Sequence, residues 1–133
     1  MSAEGNRPGG YKERGDTPLA QLFSSNIVHS TDRTPVEVSA GVQRRTLVWG
    51  PSSMLAEWRM KAGTCIPPDQ NPEMEEAAYV VSGQVEVSMG DQLVTLKAGG
   101  AFMAPFRTKH SIKALDDSIV MVMFSPPQEE WKP

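Results

Sequence analysis

Glu76 and His110 are the side chains of this sequence best placed to do chemistry together. A carboxylate and an imidazole can pass a proton between them, and histidine does so near neutral pH. The same two residue types also ligate divalent cations. Glu76 precedes Gly83 by six intervening residues, within Glu-Ala-Ala-Tyr-Val-Val-Ser-Gly. Gly99 precedes Pro105 by five, and His110 follows that proline by five positions. Three readings of the pair stay open: ligands of a metal ion, an acid/base pair in an apolar pocket, or a structural pair bonded to each other or to backbone.

The elements that must position them are strands. From Val36 onward, short runs rich in Val, Leu, Met and Trp alternate with Gly, Pro and Asp breaks, the pattern of an all-β domain. Met54, Ala56, Trp58 and Met60 fall on one face of a predicted strand, with Leu55, Glu57 and Arg59 on the other. Further strands are expected over 77–81, 84–89, 92–96, 101–104 and 110–114. Ser82-Gly83 is a tight turn between two of them, and Gly90-Asp91 a hairpin signal. Residues 118–124, Ser-Ile-Val-Met-Val-Met-Phe, form a continuous apolar run that reads as a strand buried on both faces. Eight or more short strands at this spacing predict a sandwich or barrel of jelly-roll type. Because side chains alternate along a strand, Glu76 and His110 can both point into the mouth of such a barrel.

At 133 residues the chain can bury one good core and no more. Residues 1–16 are polar and aperiodic and read as a tail; residues 17–133 read as one domain. Thr17-Pro18 opens a predicted short helical segment through Leu19, Leu22 and Phe23. The net charge of -3 and the lack of any Lys/Arg run argue against a nucleic-acid partner. No apolar stretch is long enough to span a bilayer as a helix. The polar N-terminus has no apolar core of a signal peptide, and the single Cys65 forms no intrachain disulfide. A reducing, cytoplasmic location is therefore expected. Cys65 itself reads as small core filler rather than as a nucleophile.

The two spacings around Glu76–Gly83 and Gly99–Pro105–His110 resemble the two motifs of the cupin family. The resemblance covers most of Val36 to Phe124 and implies a double-stranded β-helix that binds a small molecule. In metal-binding cupins a His-x-His pair joins the Glu and the second His around a divalent ion. Counting back from Glu76, those positions are Asp69 and Asn71 here. The implied metal set is then Asp69, Asn71, Glu76 and His110, an oxygen-rich group suited to Mg²⁺, Mn²⁺ or Ca²⁺. Arg107 stands where the second motif usually has Gly, and Ala114 where it has Asn. Residues 124–131, Phe-Ser-Pro-Pro-Gln-Glu-Glu-Trp, further resemble the tail of the small cupins of pectin degradation. Those proteins open unsaturated galacturonate to a linear keto sugar. They carry Gln at the position of Glu76, Asp at that of Val122 and Arg at that of Gln128, so this chain departs from them at all three.

Two functions follow as expectations. One is a binding module, in which the barrel holds a small ligand without turnover as a sensor or carrier. Trp58, Phe124 and Gln128 are its candidate ligand contacts, although aromatics at strand spacing are also ordinary core. The other is an isomerase or lyase-type enzyme acting on a sugar acid or other carbonyl compound, with Glu76 and His110 as catalytic groups or metal ligands. Arg44, Arg45 and Arg107 are candidates for attracting an anion, set against a solvated role near strand ends. The eight Met residues read as packing, or as the lining of an adaptable cavity. His29 reads as a surface residue. A homodimer is expected, because small cupins resemble one another in pairing and an exposed sheet edge needs cover.

Overall fold

The computed structural model describes residues 26–66 and 73–133. The predicted tail, the helical segment at 17–23, and Asp69 and Asn71 lie outside the described residues. Among the described residues there are ten strands and two short 3₁₀ turns, Ser30–Asp32 and Glu129–Trp131. The strands are β1 (Val36–Ser39), β2 (Val42–Trp49), β3 (Met54–Met60), β4 (Cys65–Ile66), β5 (Glu75–Ser82), β6 (Gln84–Met89), β7 (Gln92–Lys97), β8 (Ala101–Ala104), β9 (His110–Ala114) and β10 (Ser118–Ser125). They form a six-stranded sheet, β1-β2-β3-β10-β5-β8, and a four-stranded sheet, β4-β9-β6-β7. All the ladders are antiparallel. No described helix is long and apolar enough to cross a membrane.

The core forms where the inner faces of the two sheets meet. Met54, Ala56, Trp58 and Met60 of β3 are buried there, as their alternation predicts, beside Val120, Val122 and Phe124 of β10. Val80 of β5 joins them, with Val85 and Val87 of β6 and Ile112 of β9 in the same cluster. Full burial of side chains such as Phe124 or Met54 is worth about 1.5–3 kcal/mol each, so these strands hold one another by apolar contact rather than by ladder bonds alone.

Three sequence expectations need correction. β10 is not buried on both faces: Ser118, Val120, Val122 and Phe124 are buried, whereas Met123 is 48% exposed. Its outer face lacks a covering layer of described residues, so a continuous apolar run here marks an open sheet face. Cys65 is exposed, not core filler, because the short strand β4 lies at the edge of the small sheet. Arg44 is not solvated but turns into the barrel and is buried, following the register of Val42 and Thr46.

The end of the barrel that matters is fixed by ladder register. β10 pairs Phe124 with Met54 of β3 and with Glu76 of β5, and β5 pairs Glu76 with Ala104 of β8. In the small sheet His110 pairs with Met89. Gly83 carries the chain from β5 to β6, and thus from one sheet to the other, at φ +87°, a conformation that favours glycine.

Candidate functional site

Glu76 is the second residue of β5 and His110 the first of β9, on opposite sheets at the same end of the barrel. Both side chains point inward and are buried, with Glu76 8% and His110 7% exposed. His110 Nε2 meets Glu76 Oε2 directly. His110 Nδ1 lies 3.3 Å from the Thr108 carbonyl oxygen. Which ring nitrogen donates depends on the imidazole tautomer, and in either form Glu76 and His110 are in direct polar contact.

Apolar side chains surround this pair. Phe102 of β8 sets its ring edge-on to the imidazole at 5.9 Å, and Phe124 and Ala104 flank Glu76 on the neighbouring strands. A polar-lined cavity of about 330 Å³, formed by Ser88, Arg107, Thr108, Lys109 and Ser111, also reaches His110 but includes neither Glu76 nor Phe102. A larger one, about 510 Å³, lies at the opposite end of the six-stranded sheet, lined by Glu37, Gln43, Arg59, Lys61 and Asp117. It contains neither member of the pair, so size alone does not mark the site.

The loop leading to His110 carries one departure from motif. Arg107 has φ +61°, the left-handed region in which glycine is at ease, and its Nε donates to Glu73 Oε1 at 3.0 Å. The backbone thus keeps a shape suited to glycine with an arginine in place.

Among the described residues no group of three or more His, Cys, Asp or Glu could hold a metal ion. Glu76 and His110 supply one oxygen and one nitrogen donor, turned toward each other. A complete ligand set would require Asp69 and Asn71 as well. The other predicted site residues are placed as follows. Trp58 and Phe124 are buried on the inner face, and both touch Trp131 ring to ring, at 6.2 and 4.8 Å. Gln128 is buried, with its side-chain nitrogen 3.5 Å from the Pro126 carbonyl. Val122 is buried in the core.

Sequence reasoning passed over Thr46 and Trp131 and left Arg44 between an anion-attracting and a solvated role. The Arg44 guanidinium lies 4.6 Å from the Trp131 ring centroid and 5.8 Å from that of Trp58. Burial pushes it below the usual arginine range, and the nearby Glu130 carboxylate opposes that shift. The available signal was its position two residues from Val42 and from Thr46, on one strand face. On the outer face of the same sheet, Glu57 is almost buried because Arg59 and Arg45 fold over it, at 2.9 and 3.6 Å.

A two-sheet barrel with an inward Glu and His at one mouth defines a class, and comparison with known proteins agrees. Residues 56–126 match the cupin domain family, and the chain belongs to it. It is similar in particular to the pectin degradation protein KdgF. The structure of KdgF from Halomonas sp. is 30% identical, with a TM-score of 0.74, covering 78% of this chain and 97% of that one. Pectin degradation protein KdgF of Dickeya dadantii is 28% identical over 102 residues, or 75% of this chain and 93% of that protein. An RmlC-like cupin from Shewanella frigidimarina shares the fold, with a TM-score of 0.74 at 20% identity, over 79% of this chain and 94% of that one.

Proposed function

We propose that this chain is a small-molecule-binding cupin that holds its ligand over the Glu76–His110 pair, as a sensor or carrier without turnover. The observation that carries this reading is the pair itself, two polar groups recessed among apolar neighbours at one end of the barrel. Such a setting, apolar walls with a few convergent polar groups, is what small-molecule sites share. Turnover has less support. Val122 and Gln128 stand where the pectin-cupin resemblance implies an acid and an arginine, and neither supplies a charge. Calorimetric titration with small sugars and organic acids, with an NMR time course on the same mixtures, tests the reading. Saturable binding without product, weakened in Glu76→Gln and in His110→Ala, is expected. Equal affinity in wild type and both variants would overturn it.

A second reading is favoured by the direct Glu76–His110 contact and by kinship to a protein of pectin degradation. In it the chain is an isomerase or lyase-type enzyme acting on a sugar acid, with Glu76 and His110 as proton-transfer groups. If a divalent ion belongs to this site, Asp69, Asn71, Glu76 and His110 are the residues that would hold it, and the ion would polarise a bound oxygen. Elemental analysis of untagged protein, repeated on His110→Ala, separates the versions. A stoichiometric metal lost in the variant supports the metal version.

The quaternary reading is a homodimer formed by the outer face of the six-stranded sheet. Met123 of β10, Tyr79 and Val81 of β5 and Met103 of β8 are each about half exposed on that face. The β10-β5-β8 order makes them neighbours, and contiguous apolar patches of this kind mark contact surfaces. The exposed Cys65 thiol fits a reducing compartment such as the cytoplasm.

A further inference from the structure

We propose that Arg44 and Thr46 form an anion subsite on the inner face of β2, which takes the carboxylate of a small organic monoanion beside Trp58 and Trp131. The two residues are two positions apart, so their side chains leave one strand face about 7 Å from each other. Both are buried, at 8% and 5% exposure. Arg44 Nε and Thr46 Oγ1 are buried without a hydrogen-bond partner among the described residues, as is Arg45 Nε on the opposite face of β2, where that arginine lies beside Glu57. Buried polar atoms in folded proteins are nearly always satisfied. Two unsatisfied ones on the same inner face, where Val42 shows that an apolar side chain fits, point to an acceptor brought in by a ligand.

The chemistry of the two groups selects that ligand. A guanidinium presents planar N–H donors that match a carboxylate edge, and a threonine hydroxyl adds one further donor. The Trp131 and Trp58 rings engage the arginine's charge, but they accept no conventional hydrogen bond from Nε. The guanidinium carries a single positive charge, so one negative charge on the ligand fits best. Trp131 also packs on Phe124, whose ladder partner is Glu76, so the subsite and the pair share one interior. The inference rests on reading that interior as a ligand site.

The probe is D-galacturonate, with D-galactose and inorganic phosphate as controls at constant ionic strength, followed by tryptophan fluorescence because Trp58 and Trp131 flank the site. Galacturonate should give a saturable change and galactose none. Arg44→Met should weaken galacturonate at least about tenfold, and Thr46→Val should weaken it several-fold. Arg44→Lys, which keeps the charge but not the planar fork, should fall between wild type and Arg44→Met. Replacing the buried guanidinium by methionine removes its desolvation cost, so Tm should change by no more than about 5 °C. The proposal is overturned by no response to galacturonate, by equal response to galactose, or by tighter binding of phosphate. It is also overturned if Arg44→Met lowers Tm by more than about 5 °C, the mark of a structural strut. Galacturonate binding lost in Glu76→Gln but kept in Arg44→Met would preserve the ligand site and remove Arg44 as its anchor.

Discussion

Gly83 and Ser118 approach so closely that a Cβ on the glycine would lie 2.3 Å from the serine Oγ. The Ser118 hydroxyl accepts the Gln84 N–H at 3.1 Å and donates to the Asp116 carbonyl at 2.8 Å. This contact ties the crossing between the sheets to the start of β10. Gly83→Ala would add both a left-handed alanine and a collision with Asp117 and Ser118 backbone. A loss of about 2–4 kcal/mol is expected in denaturant unfolding. Gly99 also has positive φ, but a Cβ there would meet nothing within 4 Å. Gly99→Ala should cost only about 1–2 kcal/mol. Equal losses at the two sites would show that packing against Ser118 contributes nothing.

The Glu76–His110 contact calls for a double-mutant cycle. His110→Ala leaves a buried carboxylate without its imidazole and should cost about 3–5 kcal/mol, as broken buried pairs do. Glu76→Gln keeps an amide facing the ring and should cost about 1 kcal/mol. Combining them removes the stranded charge, so the double variant should be more stable than His110→Ala alone. Strict additivity in urea unfolding would mean that the two side chains do not act as a unit.

How much of this was legible in the sequence depends on whether the signal was local. The alternation at Met54–Met60 and the turn glycines at 83 and 90 are decided within a few residues, and the strands follow them. Glu76 and His110, 34 positions apart, could be paired because their spacings to Gly83, Gly99 and Pro105 resemble the two cupin motifs. Arg44 was harder to place, since Gln43, Arg44 and Arg45 are all polar and blur the alternation that Val42 and Thr46 would set. Its inward turn is dictated by the ladder with β3, where Arg44 pairs with Trp58. The outer face of β10 was misread for a related reason. An apolar run reads alike whether the same chain or another surface covers its second face.

Arg107 keeps a glycine's conformation, and its neighbours decide what that costs. Its ion pair with Glu73 is largely exposed, so the attraction is worth about 0–1 kcal/mol. Arg107→Gly relieves left-handed strain of about 1–2 kcal/mol, gives up that pair and frees the unfolded chain. Stability should change by no more than about 1 kcal/mol. Arg107→Val puts a β-branched residue at positive φ and should be less stable than Arg107→Gly by at least about 1 kcal/mol. Matching midpoints for the Gly and Val variants in thermal unfolding would contradict a backbone held at φ +61°.

Met123 and Met103 both pair with Ala77, so they flank a small residue on one exposed row of the six-stranded sheet, with Tyr79 beside them on β5. A row of this kind is self-complementary by geometry, because a second copy can lay a methionine over the alanine of the first. Apolar area removed from water is worth about 25 cal/mol per Å², so even a modest overlap of such faces favours association. Light scattering coupled to gel filtration should give the wild type as a dimer. Met123→Lys places an ammonium in the middle of the row and should give a monomer. Because the side chain is exposed on the single chain, its Tm should fall only by as much as dimer formation contributes, and the fall should disappear on dilution. A monomeric wild type, or an unchanged mass in Met123→Lys, would move the contact elsewhere. The Arg45–Glu57–Arg59 group on β2 and β3 borders this face. Its charges, already paired within one chain, would then form the polar rim of the apolar patch.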